Sequence, residues 1–113
     1  MTLSPVNKII NEYGMTELHL AAYHQDIDWV KACIRDNFDI NQKDRNGWTP
    51  LMWAIDMAAT SEKGVAKSII ELLILNGANT DIQPSKDESI TDFSYRIHPE
   101  VGEFISKIIN HKN

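Results

Sequence analysis

The chain has 113 residues, 42% hydrophobic and 24% charged, which suits one globular domain able to bury about two-thirds of its unfolded surface. Sixteen acidic against eleven basic residues leave a formal charge of −5, which argues against phosphate-backbone binding, where clustered Lys and Arg are needed. No apolar run approaches the roughly 20 residues of a membrane span, and the N-terminus lacks the basic, apolar and small-residue order of a signal peptide.

Ser4 suits an N-cap and Pro5 a first helical position, with Val6, Ile9 and Ile10 as an apolar face. A short cap helix is therefore predicted within residues 1–13, ended by Asn11 and Gly14. Thr16 caps a helix through Leu18, Ala21 and Ala22, whose small side chains let a second helix approach closely. Gln25 and Asp26 break it, and Asp26 caps a helix with Ile27, Val30, Cys33 and Ile34 on one face. Asn37 ends that helix as a residue that tolerates a left-handed C-cap, and residues 38–41 exit extended. Asp44-Arg45-Asn46-Gly47 reads as a hairpin-like turn, and Thr49-Pro50 starts a helix that buries Leu51, Ala54 and Ile55. Residues 65–75 form a very apolar helix, expected to be buried on more than one side and closed by Gly77. Pro84 to Asp87 is a further turn, and Ser89 with Asp92 makes a short-side-chain capping box. His98, a cap or an exposed residue, precedes Pro99 and a last helix with Val101, Phe104, Ile105, Ile108 and Ile109 on one face. Second helices are thus expected near 27–36, 65–76 and 99–109, without an extended sheet.

Two segments repeat. Gly14 aligns with Gly47, Thr16 with Thr49, Leu18 with Leu51 and Ala21 with Ala54, each pair 33 residues apart. Counted from Thr49, the closing glycine is expected near residue 70 but stands at Gly77, an insertion of 7 residues near 57–64. Either a lengthened helix pair or a mobile, protruding loop fits it. The segments G-M-T-E-L-H-L-A-A and G-W-T-P-L-M-W-A, the latter followed by L-L-I-L-N-G-A-N, resemble the ankyrin repeat family over nearly the whole chain. The chain departs from that pattern at Glu17 (for proline), Gln25 (for glycine), Asn37-Phe38 (for Gly-Ala) and Met52 (for histidine). The third unit, with Ser89–Ser94 in place of T-P-L-H-x-A, is too divergent for residue-by-residue comparison. The resemblance implies an all-α solenoid of helix pairs with finger loops, about three repeats including degenerate caps: 1–13 as cap helix, 14–46, 47–84 and 85–113. It also implies that Thr16 and His19 fix the first repeat by hydrogen bonding, that a concave face of fingers and first helices binds other proteins, and that no catalytic residues are shared.

On that face Trp48 is expected to point from the finger to solvent, since tryptophan is enriched in binding hot spots; Trp53, one turn into the helix, either joins it or packs between adjacent first helices as core. Tyr13, Met15, Tyr23 and His24 are expected to flank them from the first repeat. Lys43, Asp44, Arg45, Asn46, Asp56 and Met57 are expected to do so from the second. Trp29 reads as convex-side packing. His19 and His24 do not share a helical face and have no recognised ligand spacing, so no metal or other cofactor is expected. Cys33 lies on an apolar face with no base beside it, and as a single cysteine fits a reducing compartment. The glycines are isolated and form no phosphate loop.

These features point to a small, stand-alone cytoplasmic binder with no enzymatic activity, no nucleic-acid, membrane or small-molecule partner, and a protein partner with a basic surface. Size, acidity and architecture are similar to bacterial ankyrin-type immunity proteins that neutralise a toxin by steric occlusion. An adaptor or scaffold subunit is the alternative.

Overall fold

The computed structural model describes residues 6, 8–60, 62–84 and 87–112, apart from the side chains of 63, 111 and 112. Six α-helices occur among them: α1 (Glu17–Tyr23), α2 (Ile27–Arg35), α3 (Pro50–Asp56), α4 (Lys63–Leu75), α5 (Ile90–Ile97) and α6 (Pro99–Lys112). Helices α1, α3 and α5 pack side by side, and α2, α4 and α6 form a second row behind them. The predicted second helices are all present.

Helix starts follow from side-chain chemistry. Asp26 Oδ1 accepts the Trp29 N–H at 3.2 Å to begin α2, and Ser89 Oγ accepts the Asp92 N–H at 3.0 Å to begin α5. His98 Nδ1 accepts the Glu100 N–H at 3.2 Å and so caps α6. Among the described residues, two that are not glycine take the left-handed conformation, Gln25 (φ 56°) and Asn37 (φ 64°), where the family pattern has glycine. The Gln25 amide donates to Ala22 O at 2.9 Å and Ala54 O at 3.3 Å, bonds that offset the backbone strain and tie α1 to α3.

Residues 6 and 8–13 correct the predicted cap helix. Ser4 and Pro5, its proposed start, lie outside the described residues. Val6 pairs in parallel with Phe38, its N–H donating to Asn37 O at 2.7 Å and its carbonyl accepting from Asp39 N–H at 2.6 Å. Residues 8–10 have no regular structure, and Ile9 and Ile10 are exposed rather than an internal face. The reason is the repeat itself. Asn11 stands 33 residues before Asp44 and does the same work. Asn11 Oδ1 accepts the N–H groups of Tyr13 and Met15, both at 3.0 Å, and Asp44 Oδ1 accepts those of Asn46 and Trp48 at 2.9 and 3.0 Å. The segment is a finger arm stacked on the next one, and that pairing prevails over a helix too short to persist alone.

The insertion lengthens the middle pair. Of its seven residues, three widen the connection between α3 and α4 and four make α4 longer than α2. Met57–Thr60 continues α3 as a 3₁₀ turn, anchored by the buried Ala58. A protruding loop is thus the wrong alternative for this part of the segment. The core lies between the rows, with Leu18, Leu51, Ile55, Ile69, Ile70, Leu73 and Ile105 fully buried. Each such Leu or Ile contributes about 1.5–3 kcal/mol of transfer free energy. Phe104, on the predicted apolar face of the last helix, is half-buried at the margin with Lys67 Nζ 5.7 Å from its ring centroid; Phe93 is the enclosed aromatic. Helices α5 and α6 meet closely at Gly102, where a Cβ would stand 2.5 Å from Tyr95 Cγ.

Candidate functional site

The face formed by the fingers and the first helices is built on a hydrogen-bonded frame. The turn before α3 closes through Asp44 N–H to Trp48 O at 2.9 Å and Gly47 N–H to Asp44 O at 3.0 Å, with Gly47 at φ 79°. The two fingers join where the Arg45 N–H donates to Tyr13 O at 2.9 Å. The resemblance to the Thr–His pattern holds in the first repeat. His19 Nδ1 accepts the Thr16 N–H at 3.1 Å and lies 3.0 Å from Thr16 Oγ1, so Nε2 carries the ring proton and donates to Trp48 O at 3.0 Å. Burial pushes the His19 pKa below its ordinary value, which fits this neutral ring.

An open cleft of about 430 Å³ lies on this face. Tyr13, Tyr23 and Trp53 supply its rings, Met15 and Leu20 its aliphatic surface, and Asn11 and Asn46 its amides. Tyr13 and Tyr23 are exposed, at 59% and 38%, as free surface for contact. The structure thus brings together five of the nominated residues: Tyr13, Met15, Tyr23, Asn46 and Trp53. Others lie apart. Lys43 lines a separate groove with Met52, Asn79 and Asp81. His24 stacks on Trp29 with centroids 6.4 Å apart, and Trp29 Nε1 donates to Glu17 Oε1 at 3.2 Å. Arg45 is exposed on the finger, while Asp56 and Met57 are half-buried at the end of α3.

Three nominations need correction. Asp44 is 7% exposed, and besides its two backbone bonds its Oδ2 accepts the Trp53 indole N–H at 2.8 Å. It holds the finger and orients a ring instead of meeting solvent. Met15 is 5% exposed and forms cleft floor. Trp48 turns inward, half-buried, with its centroid 4.8 Å from Trp53 and 5.5 Å from Phe93. The residue before a helix N-cap packs against the fourth helical residue as a hydrophobic staple, which pairs Trp48 with Trp53 and Met15 with Leu20. That rule was the available signal. It would also have nominated Leu20, which stands 33 residues before Trp53.

The rings form a continuous line across the repeats. His24 meets Tyr23 at 5.1 Å, Tyr23 meets Trp53 at 5.4 Å, and Trp53 leads through Trp48 to Phe93. Arg96 ends it, its guanidinium 5.3 Å from the Phe93 centroid and held by two bonds to Glu88, at 2.6 and 2.9 Å. Elsewhere the chemistry is quiet. Burial pushes the Cys33 thiol up to about 11, which disfavours the reactive thiolate. Among the described residues no cluster of three His, Cys, Asp or Glu could hold a metal, and no helix is long and apolar enough to cross a membrane.

Residues 2–84 match the family described as "Ankyrin repeats (3 copies)". The chain belongs to the ankyrin repeat family. Among curated proteins it is 30% identical to "Protein glp-1" of Caenorhabditis elegans over 91% of this chain and 8% of that protein. It is 43% identical to "Protein VAPYRIN-LIKE" of Medicago truncatula over 43% of this chain and 9% of that protein. It is 39% identical to "Ankyrin repeat domain-containing protein 31" of Mus musculus over 45% of this chain and 3% of that protein. The chain thus spans less than a tenth of the length of each of these relatives. Ankyrin repeats are protein-interaction modules, and this array is one.

Proposed function

We propose that this ankyrin array binds a protein partner on the finger and first-helix face and acts by occupying part of the partner's surface. The cleft carries the reading: exposed tyrosine and half-buried tryptophan surround the exposed Asn46 amide on a hydrogen-bonded frame. A preformed aromatic surface loses little side-chain entropy on binding, which favours affinity. The acidic balance of the chain favours a basic partner surface and a faster encounter at low salt. The narrower expectation of a toxin-neutralising immunity protein rests on size and charge, and relatives from a nematode, a legume and a mouse lend it no support. Occlusion, not the identity of a toxin, is what the geometry supports.

The test is affinity capture with three forms of the chain: wild type, Tyr13→Ala with Tyr23→Ala, and Lys31→Ala with Arg35→Ala on α2. A partner held by wild type and by the α2 variant, and lost from the tyrosine variant, is the expected result. The reverse pattern moves the interface to the convex side and ends the proposal.

A further inference from the structure

The cleft has an electrostatic feature that apolar docking does not need. Asp44 lies behind Trp53, and each of its bonds comes from a neutral N–H: Asn46 and Trp48 to Oδ1, and the indole to Oδ2. It acts only as an acceptor, the pattern of an ionised carboxylate. No Lys or Arg pairs with it among the described residues. The negative charge therefore reaches the cleft through the indole it binds. A carboxylate on the indole N–H also enriches the ring in electrons, which strengthens its attraction for a cation. Among the described residues, the cleft lining contains no cation.

The third repeat shows a ring at the equivalent position already paired with a cation. Phe93 follows its cap Ser89 by the interval that separates Trp53 from Thr49. There an arginine, Arg96, lies against the ring and a carboxylate, Glu88, holds it. At Trp53 the ring is present, its carboxylate bonds the indole N–H, and among the described residues no cation lies against the ring. The geometry points to the cleft between Tyr13, Tyr23 and Trp53 as a receptor for an arginine side chain presented by a partner protein. This rests on the reading of the same face as the binding surface. Arginine fits better than lysine. Its planar, weakly hydrated guanidinium stacks on rings while its several donors reach acceptors around them, whereas an ammonium is a compact, strongly hydrated point charge. The acceptors here are neutral: the Asn46 amide and the Tyr13 and Tyr23 hydroxyls, whereas Asp44 is closed off at 7% exposure. The net charge of −5 complements such a partner.

The test is an NMR titration of the intact chain with N-acetyl-arginine methylamide, and with its lysine and leucine counterparts. The arginine compound is expected to shift the Trp53 indole N–H signal saturably, with affinity at least about tenfold above that of the leucine compound. Tyr23→Leu, at an exposed position, keeps apolar area and removes a ring; it should weaken arginine binding by at least about fivefold. Asp44→Asn should weaken it too, and the tyrosine variant decides the matter if that finger unfolds. Equal binding of the leucine compound overturns the cation receptor while leaving the binding face intact. Equal binding of the lysine compound overturns the choice of arginine. No shift with any compound, while the tyrosine pair still abolishes partner capture, overturns the inference alone. No shift together with capture unaffected by the tyrosine pair overturns both readings.

Discussion

The first and second repeats share finger, cap and buried alanine, and differ where His19 in one becomes Met52 in the other. In the first, Thr16, His19 and the Trp48 carbonyl form a closed chain of hydrogen bonds linking cap, helix and next finger. In the second, Met52 is buried and cannot answer Thr49, whose Oγ1 is enclosed without a partner. A buried hydroxyl left unpaired costs about 1–3 kcal/mol. The same repeat carries the compensation. Its second helix, α4, has 13 residues against 9 in α2, and buries Ile69, Ile70, Leu73 and Ile74 where α2 buries Val30 and Cys33. One repeat is secured by polar bonds, the other by apolar volume. A repeat array shares stability between neighbours, so a deficit in one bond type is tolerated where an adjacent interface is large.

The comparison can be broken most decisively in the second helices. Cys33 and Leu73 each stand four residues before the left-handed residue that ends the helix, Asn37 and Gly77. Leu73→Ala should cost about 2–5 kcal/mol in urea unfolding, whereas Cys33→Ala should cost no more than about 1 kcal/mol. Similar costs at both positions would mean that α4 is not the energetic centre.

Next in size is the finger. Trp48→Ala removes half-buried contacts with Trp53 and Phe93, and a loss of about 2 kcal/mol with a lower Tm is expected. An unchanged Tm would restore the outward-pointing tryptophan that the sequence suggests.

The capping threonines give the sharpest contrast. Thr16→Val breaks a satisfied network and should cost about 1–3 kcal/mol, whereas Thr49→Val removes an unpaired hydroxyl and should be neutral or stabilising, by at most about 1–3 kcal/mol. Equal effects would show that the two helix starts are held alike. The smallest effect is that of pH. The folded His19 binds its proton less readily than the unfolded chain, so its contribution is complete above the ordinary pKa of 6.5 and falls as pH drops below it. Stability measured at pH 7.5 and 5.5 should decrease with acidity in wild type and decrease less in His19→Gln. An identical pH response in both would remove His19 as the cause.

Much of the fold was legible because helix boundaries are local events. Thr16, Asp26, Thr49, Ser89, Asn37 and Gly77 act on backbone groups within a few residues, and all end or begin helices where the pattern places them. The cleft was legible in part: Tyr13, Tyr23, Asn46 and Trp53 line it as nominated. Its ordering was not, because whether a side chain such as Asp44 is covered depends on Trp53, nine residues away, and on the neighbouring finger.

By itself the sequence determined the period, the helix pairs and the family, because these rest on caps, turns and apolar spacing that each segment carries alone. Only the tertiary structure decided that residues 6 and 8–13 form a finger arm, that Met57–Thr60 is anchored by Ala58, and that Trp48 faces inward. Each of those outcomes depends on which strand, helix or ring from a distant part of the chain arrives to cover the group. Burial and pairing are properties of the assembled surfaces, and the segment that carries a residue does not contain them.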